Sequence, residues 1–192
     1  MATENKRPAT FADLLALPDA RAEVIHGEVV QKASPTAEHG VAQGGVVGFL
    51  RRRFHRRGGG RWPGGWWIAT EVDVEYRPHE ICRHDVVGWR RDRVVECPKG
   101  RPVRIRPDWV CEILSPSNEK RDLVDKMRIL RDASVPHYWI LYPEERVLVV
   151  HRLDDRGWGI VLSASDQDTV RAEPFETVEL SVGILFGDED EE

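Results

Sequence analysis

The sequence has few cysteines and no long apolar run, and both absences narrow the class of protein. Its three cysteines, Cys82, Cys97 and Cys111, are odd in number and lack the close spacing of a metal-binding motif. They are predicted to be reduced thiols, so we expect the protein to be cytoplasmic. No apolar stretch approaches the ~20 residues that a membrane-spanning helix needs. No apolar segment follows the N-terminus either, so a secretion signal is not expected.

The composition is typical of one soluble globular domain followed by an acidic tail. Of the 192 residues, 41% are hydrophobic and 32% are charged, which favours a sizeable core over disorder. Residues 188–192 are all acidic and supply five negative charges, the whole of the net charge of −5. We therefore expect a single, formally neutral domain over residues 1–187 and a solvated, disordered tail over residues 188–192.

The hydrophobic pattern predicts a mixed α/β fold. Short strands alternate with turns through most of the chain, and one unit has the order strand, helix, strand. Its parts are expected at Trp109–Leu114, at about Glu119 to Asp132, and at His137–Tyr142. Strands grouped around one such unit indicate a mixed sheet flanked by helices.

The longest predicted helix, from about Ala37 to His55, has two unusual features. It contains four glycines, each costing about 1 kcal/mol relative to alanine, which indicates close packing on a sheet or on another chain. It also ends in a basic run that either suits the negative end of the helix dipole or binds phosphates. We favour phosphate contact slightly, by Arg51, Arg52, Arg53, Arg56 and Arg57.

Glu112 stands out because it is the one carboxylate inside an otherwise apolar strand. A buried strand rarely keeps an ionised side chain unless that side chain is paired or binds a metal. One interpretation is a purely structural pair between Glu112 and an arginine. The other is a functional site, and the neighbouring residues favour it.

Three further charged residues are expected near Glu112. Asp85 is predicted at the entrance of the strand Arg83–Trp89, while Asp122 and Lys126 lie one turn apart on the helix after Glu112. Two carboxylates at a sheet edge repel each other unless a cation lies between them. Mg²⁺ takes one or two carboxylates together with water and phosphate oxygens, and a nearby lysine can orient water and stabilise charge at phosphorus. Such a group is typical of a phosphodiesterase site.

The pattern of these residues resembles a known family. The matching positions are Asp85, residues 112–117, Asp122, Lys126 and residues 138–140, with residues 23–28, 34–35 and His39 upstream. They resemble the prokaryotic "putative restriction endonuclease" family of the PD-(D/E)XK nuclease superfamily, over roughly residues 10–186. The resemblance implies a restriction-endonuclease-like fold, a central mixed β-sheet flanked by helices, and cleavage of DNA.

The resemblance also implies a role for each matching residue. Asp85 and Glu112 would bind Mg²⁺, or Mn²⁺ in its place. Lys126 would replace the lysine that the superfamily carries two residues after the glutamate, because that position is Leu114 here. Glu23 would be an additional acidic residue near the metal.

Lys126 and His39 each have an alternative interpretation. An i,i+4 pair of Asp122 and Lys126 is also common on helix surfaces, and Lys120 is the substitute for Lys126 as the catalytic lysine. His39 is expected either beside the site or as an ordinary polar helix residue.

The superfamily's Pro-Asp dipeptide is replaced here by His84-Asp85. A Pro-Asp does occur at residues 107–108, but Asp108 would lie about 13 Å from Glu112 along one strand. That distance is too long for a shared ion, so Asp85 is preferred.

The prediction is a Mg²⁺-dependent DNA endonuclease, expected as a homodimer, in which Asp85 and Glu112 hold the metal and Lys126 orients the attacking water. One alternative is a non-cleaving nucleic-acid-binding or regulatory module of the same fold. A second is a nuclease that acts on RNA or on branched DNA.

Overall fold

One large mixed β-sheet forms the centre of the protein. A computed structural model describes residues 7–18, 21–115 and 121–190, without the side chains of Arg121 and Asp122. The strands are β1 Ala22–Ile25, β2 Glu28–Gln31, β3 Trp66–Arg77, β4 Glu80–Arg90, β5 Trp109–Ile113, β6 His137–Tyr142, β7 Val147–Asp154, β8 Gly157–Ser165, β9 Thr169–Val170 and β10 Leu180–Ser181. The first eight form the sheet in the order β2-β1-β4-β5-β6-β7-β8, with β3 paired to β4, and β9 pairs with β10 separately.

The described helices are short, except for one. They are α1 Phe11–Leu15, α2 Ala37–Arg53, α3 Met127–Asp132, a π-helical turn Arg121–Lys126 directly before α3, and a 3-10 helix Val182–Phe186. The Thr36 side chain caps α2 by accepting a hydrogen bond from the His39 amide at 3.2 Å. Within the described ranges, no helix has the length and apolar character to cross a membrane.

The predicted mixed α/β architecture is confirmed. Strands β5 and β6 are parallel and are joined through the segment that contains α3, whereas the other pairs in the sheet are antiparallel. The pattern of residues 22–30 predicts two short strands about a turn at Gly27, and these are β1 and β2. The pattern of residues 146–162 predicts a closing antiparallel pair, and these strands are β7 and β8. The strand-helix-strand unit therefore lies inside the sheet, with Glu112 on its first strand.

Both faces of β5 are covered, which explains its apolar sequence. Trp109, Cys111 and Ile113 pack on one face with residues of α2, while Val110 and Leu114 pack on the other face with Leu130 of α3. All five are nearly or fully buried. A strand covered on both faces gives Glu112 no route to bulk water, so its carboxyl group needs partners inside the protein.

Two predicted boundaries differ from the structure. The strand that carries Asp85 begins at Glu80, so Asp85 lies well inside β4 and not at its entrance. The pattern of residues 177–180 predicts a last strand, but only Leu180 of them lies in the two-residue β10, and the chain turns into the 3-10 helix at Val182. The expected start of the helix at about Glu119 lies outside the described residues, and the first described turn is π-helical.

The glycines of α2 serve different purposes. A Cβ at Gly45 would lie 2.5 Å from the carbonyl oxygen of Ile184 and 2.8 Å from that of Leu185, so this glycine permits close contact with the 3-10 helix. Gly40, Gly44 and Gly48 have no described atom within 4 Å of such a Cβ. Close packing within the chain therefore explains one glycine of the four.

Candidate functional site

The site lies where the sheet divides. β4 pairs with β1 at Ile81 and with β5 at Val86 to Gly88. Since β3 occupies the other edge of β4, β1 and β5 share this edge and separate beside residues 82–85. We call this opening, with the side chains that fill it, the fork.

Side chains replace the missing strand partner at the fork. The backbone amide of Arg83 donates to Glu23 Oε1 at 2.8 Å. The carbonyl oxygen of Arg83 accepts from Lys32 Nζ at 3.1 Å and from Lys126 Nζ at 3.4 Å. Buried backbone groups must be paired. At the fork, a carboxylate and two ammonium groups therefore take the place of the strand partner.

Lys126 joins the two buried glutamates. Its Nζ lies 3.0 Å from Glu23 Oε1 and 3.0 Å from Glu112 Oε1, and all three side chains are fully buried. Glu23 comes from β1, Glu112 from β5, and Lys126 from the end of the π-helical turn. Three residues that are distant in the sequence therefore meet at one point, as the resemblance implied.

The two glutamates differ in their affinity for a proton. Burial raises the pKa of Glu112 to about 8, helped by the negative charge of Asp85 and opposed by Lys126. Burial acts in the same direction on Glu23, but Lys126, Lys32 and the Arg83 amide outweigh it and lower the pKa of that carboxyl group. Near neutral pH, Glu23 is therefore the ionised partner of Lys126, and Glu112 keeps its proton more readily.

Asp85 has a second set of partners. Its Oδ1 accepts from Lys32 Nζ at 2.8 Å, and its Oδ2 accepts from the Ile113 amide at 2.9 Å and lies 3.2 Å from His39 Nε2. Burial alone would raise the pKa of Asp85, but Lys32 and His39 lower it well below its ordinary value. The pKa of His39 is raised, because Asp85 outweighs the effect of burial.

His84 orients Glu112 from a third side. Its Nδ1 lies 2.6 Å from Glu112 Oε1, and its Nε2 lies 2.7 Å from the hydroxyl oxygen of Tyr76. Burial and the nearby Lys126 lower the pKa of His84 to about 3, so the ring is neutral. The residue that replaces the expected proline is thus hydrogen-bonded directly to a proposed metal ligand.

The carboxyl oxygens fit a hard divalent cation. β4 and β5 pair up to Val86 and Cys111, the neighbours of Asp85 and Glu112, and Asp85 accepts a hydrogen bond at 2.9 Å from the amide of Ile113, directly after Glu112. Glu112 Oε2 is buried and has no hydrogen-bond partner among the described residues. Within those residues, no three Asp, Glu, His or Cys side chains are grouped as a metal site, but Mg²⁺ needs only one or two carboxylates besides water and phosphate. Asp85 and Glu112 are the residues that could hold it.

A cleft of about 290 Å³ opens beside Asp85. Its lining consists of Arg21, Lys32, Ala33, Ser34, Pro35, His39, Gln43, Glu71, Arg83, Asp85 and Ser115. Glu112 and Lys126 lie beneath this surface, fully buried. A larger hollow of about 550 Å³ lies elsewhere and contains none of the predicted catalytic residues, so the smaller cleft is the entrance to the site.

The structure brings Glu23, Asp85, Glu112, Lys126 and His39 together. Their catalytic roles stay predictions. The alternative lysine, Lys120, lies outside the described residues, and so does the side chain of Asp122. Asp108 pairs with Arg93 at 2.8 Å and belongs to the lining of the larger hollow.

The proposed DNA-binding arginines lie at the opposite end of α2 from His39. Arg51, Arg52, Arg56 and Arg57 are exposed. Arg53 is 1% exposed and makes two hydrogen bonds of 3.0 Å to Asp190. Asp190 of the acidic tail therefore contacts the basic run directly.

Lys32, Gln43 and Glu71 are site residues that sequence reasoning missed. Gln43 Nε2 donates to the Asp85 carbonyl oxygen at 2.9 Å and to Glu71 Oε1 at 3.0 Å. Glu71 has a φ of +53°, which is uncommon for a residue other than glycine in a strand. Lys32 offered one signal, a lysine directly after a strand and three residues before Pro35, but such lysines are ordinary in loops.

Comparison with known proteins identifies a shared fold and a family. Among solved structures, the chain is similar to one described as a "putative nuclease belonging to DUF820" from Anabaena variabilis, with a TM-score of 0.71 and 21% identity over 93% of this chain and 98% of that one. At that identity the likeness shows a shared fold. No curated protein matches the chain. The family described as "Putative restriction endonuclease" (Uma2) matches residues 8–183. The chain therefore belongs to this family.

Proposed function

We propose that the protein is a Mg²⁺-dependent endonuclease that hydrolyses phosphodiester bonds in DNA. The observation that carries the proposal is the meeting of Glu23, Asp85, Glu112 and Lys126 at the fork, beside a cleft open to solvent. The family description and the nuclease-like fold support the reaction class. The metal ion and the DNA substrate go beyond that reaction class and belong to the proposal.

Each residue has a task that follows from its contacts. Asp85 and Glu112 would hold the cation, which, when bound, supplies positive charge at the phosphate and activates water. Lys126 contacts Glu112 and would orient a water molecule bound there, and Glu23, 3.0 Å away, would hold Lys126 in position. In the reaction, a water oxygen bonds to phosphorus and the bond to the 3′ oxygen breaks. The products are 5′-phosphate and 3′-hydroxyl ends.

The test is cleavage of a supercoiled plasmid in Mg²⁺, in Mn²⁺ and in EDTA. Asp85→Asn and Glu112→Gln should each slow cleavage by about two orders of magnitude or more, because each removes a proposed ligand while keeping the size of the side chain. The exposed Glu96 lies on a loop away from the fork, so Glu96→Gln is the matched control. Cleavage at the wild-type rate by Glu112→Gln would disprove the proposed role of that residue.

A second candidate function is nucleic-acid binding without cleavage. It is favoured by one observation, that the ammonium groups of Lys126 and Lys32 already lie 3.0 and 2.8 Å from the carboxyl oxygens of Glu112 and Asp85. Titration of Mg²⁺ or Mn²⁺ into wild type and Asp85→Asn, followed by calorimetry, separates the two functions. Heat of binding that is lost in the variant supports the nuclease, and its absence in both proteins supports the binding module.

The remaining parts of the proposal concern partners and location. We propose nucleic acid as the partner, with the exposed Arg51, Arg52, Arg56 and Arg57 as its contacts, and a homodimer as the assembly. Arg53, predicted as a fifth contact, is instead buried against Asp190. The three cysteines are free thiols, two of them buried, as expected for the proposed cytoplasmic location.

A further inference from the structure

Two lysines reach the fork, and they differ in their access to solvent. Lys126 is fully buried between Glu23 and Glu112. The side chain of Lys32 is 11% exposed, and it lines the cleft. Of these two ammonium groups, that of Lys32 lies at the surface of the cleft, so it is the one that a phosphate group entering the cleft can contact directly.

The ammonium group of Lys32 has a spare hydrogen-bond donor. It carries three N–H donors, and among the described residues it has two acceptors, Asp85 Oδ1 at 2.8 Å and the Arg83 carbonyl oxygen at 3.1 Å. These two contacts hold Nζ at the wall of the cleft. The third donor is available to a ligand that brings its own acceptor.

His39 adds a second group with unused bonding capacity. Its side chain is 10% exposed and it also lines the cleft, with Nε2 held by Asp85 at 3.2 Å. Its Nδ1 is buried and has no hydrogen-bond partner among the described residues. His39 lies in the first turn of α2, where the helix dipole favours negative charge.

Arg83, Glu71 and Asp85 also line the cleft. Each is already paired, so they leave its preference for a negatively charged ligand unchanged. The guanidinium of Arg83 is bonded to Asp73 at 2.7 and 3.0 Å. Glu71 is bonded to Gln43, and the carboxylate of Asp85 is already in contact with Lys32 and His39. A spare ammonium donor on Lys32, beside the N-terminus of α2, favours an oxyanion as the ligand.

We propose that Lys32, with His39 and the N-terminus of α2, forms a phosphate-binding site in which Lys32 contacts a non-bridging oxygen of the phosphodiester that is cleaved. The identity of the oxyanion rests on the proposed function. In this division of tasks, Lys32 binds the phosphate and Lys126 remains with the two glutamates. The superfamily's single motif lysine is thus represented by two lysines in this chain.

Inorganic phosphate is the probe that tests the site without requiring cleavage. In wild-type protein labelled with ¹³C-lysine, titration with phosphate in EDTA should shift the Lys32 resonance and leave those of Lys126 and the exposed Lys99 unchanged. The same titration should shift the His39 imidazole resonances. An unchanged Lys32 resonance overturns the proposal, and so do equal shifts of Lys32 and Lys99.

Variants extend the test to affinity. Lys32→Met should weaken phosphate binding about tenfold, because it removes one charge-assisted hydrogen bond. Lys99→Met, the same change at an exposed lysine that does not line the cleft, should have no effect, and Lys32→Arg should restore part of the affinity. Thermal unfolding of each variant shows whether it is folded, and the wild-type titration decides the question if Lys32→Met is not.

Cleavage assays distinguish this inference from the proposed function. If wild type binds phosphate through Lys32 but does not cut DNA, the anion site stands and the nuclease proposal fails. If wild type cuts DNA and folded Lys32→Met cuts it at the same rate with the same salt dependence, the nuclease proposal stands and the role of Lys32 is wrong.

Discussion

The carboxyl group of Glu112 is one of the groups whose ionisation the fold alters strongly. Its pKa of about 8 compares with an ordinary value of 4.5. The folded protein therefore keeps this proton over a pH range in which the unfolded chain has lost it. By linkage, the stability that this group contributes is fully present below about pH 4.5, falls as pH rises, and reaches its minimum above about pH 8.

Replacement of Glu112 should expose this dependence. We expect Glu112→Gln, which cannot titrate, to gain stability relative to wild type as pH increases from 5 to 8, by an amount of order a few kcal/mol. Urea unfolding of both proteins at several pH values measures the difference between their free energies of unfolding. The contributions of the other titrating groups largely cancel in that difference. The exposed control Glu96→Gln should follow wild type, and parallel curves for Glu112→Gln and wild type would contradict the expected titration.

Single residues also show what the sequence could and could not predict. Glu112 was recognisable because a carboxylate inside an apolar strand requires a partner. Lys32 was not, because a lysine after a strand is ordinary until the fold shows what lies beside it. His84 was visible only as a departure from Pro-Asp, and its hydrogen bond to Glu112 needed the structure.

At the scale of secondary-structure elements, Gly45 and Gly48 of α2 should respond in opposite ways to replacement by alanine. Gly45→Ala should destabilise the protein by about 1–3 kcal/mol, because the new methyl group would overlap backbone atoms of Ile184 and Leu185. Gly48→Ala should stabilise it by up to about 1 kcal/mol, because the position is exposed and alanine favours the helix.

Thermal or urea unfolding of both glycine variants checks the contrast. The chemical change and the helix are the same, so helix propensity contributes equally to the two results. Equal effects at Gly45 and Gly48 would show that the close approach of α2 to the 3-10 helix does not limit packing.

The fork is the element-scale feature that sequence reasoning did not predict. The strands themselves followed from their apolar patterns, and the strand-helix-strand unit placed Glu112 and Lys126 near each other. The separation of β1 and β5 along one edge of β4 depends on pairing between distant segments, such as the contact of Glu23 with Arg83, 60 residues apart. No local pattern records such a pairing.

For the whole molecule, α2 connects the cleft to the basic run. Thirteen residues separate His39 from Arg52, which corresponds to about 20 Å at 1.5 Å per residue. This length equals about six base pairs of duplex DNA at 3.4 Å each. A duplex that contacts both ends of α2 must therefore be at least that long.

Binding of short duplexes should show this threshold. We expect the affinity of wild type to rise as the duplex is lengthened beyond about six base pairs. The double variant Arg51→Ala and Arg52→Ala should lose most of that rise and show a smaller salt dependence. Fluorescence anisotropy in EDTA with duplexes of increasing length measures both effects, and an identical length dependence in the variant would exclude these arginines as phosphate contacts.

The two ammonium groups at the fork have a consequence for how a cation would be acquired. Lys32 and Lys126 already lie against Asp85 and Glu112, and Glu112 retains a proton to about pH 8. A divalent ion bound at these oxygens would therefore have to displace an ammonium group and a proton, since the carboxyl groups are not free to receive it. Its binding would be a competition between cations.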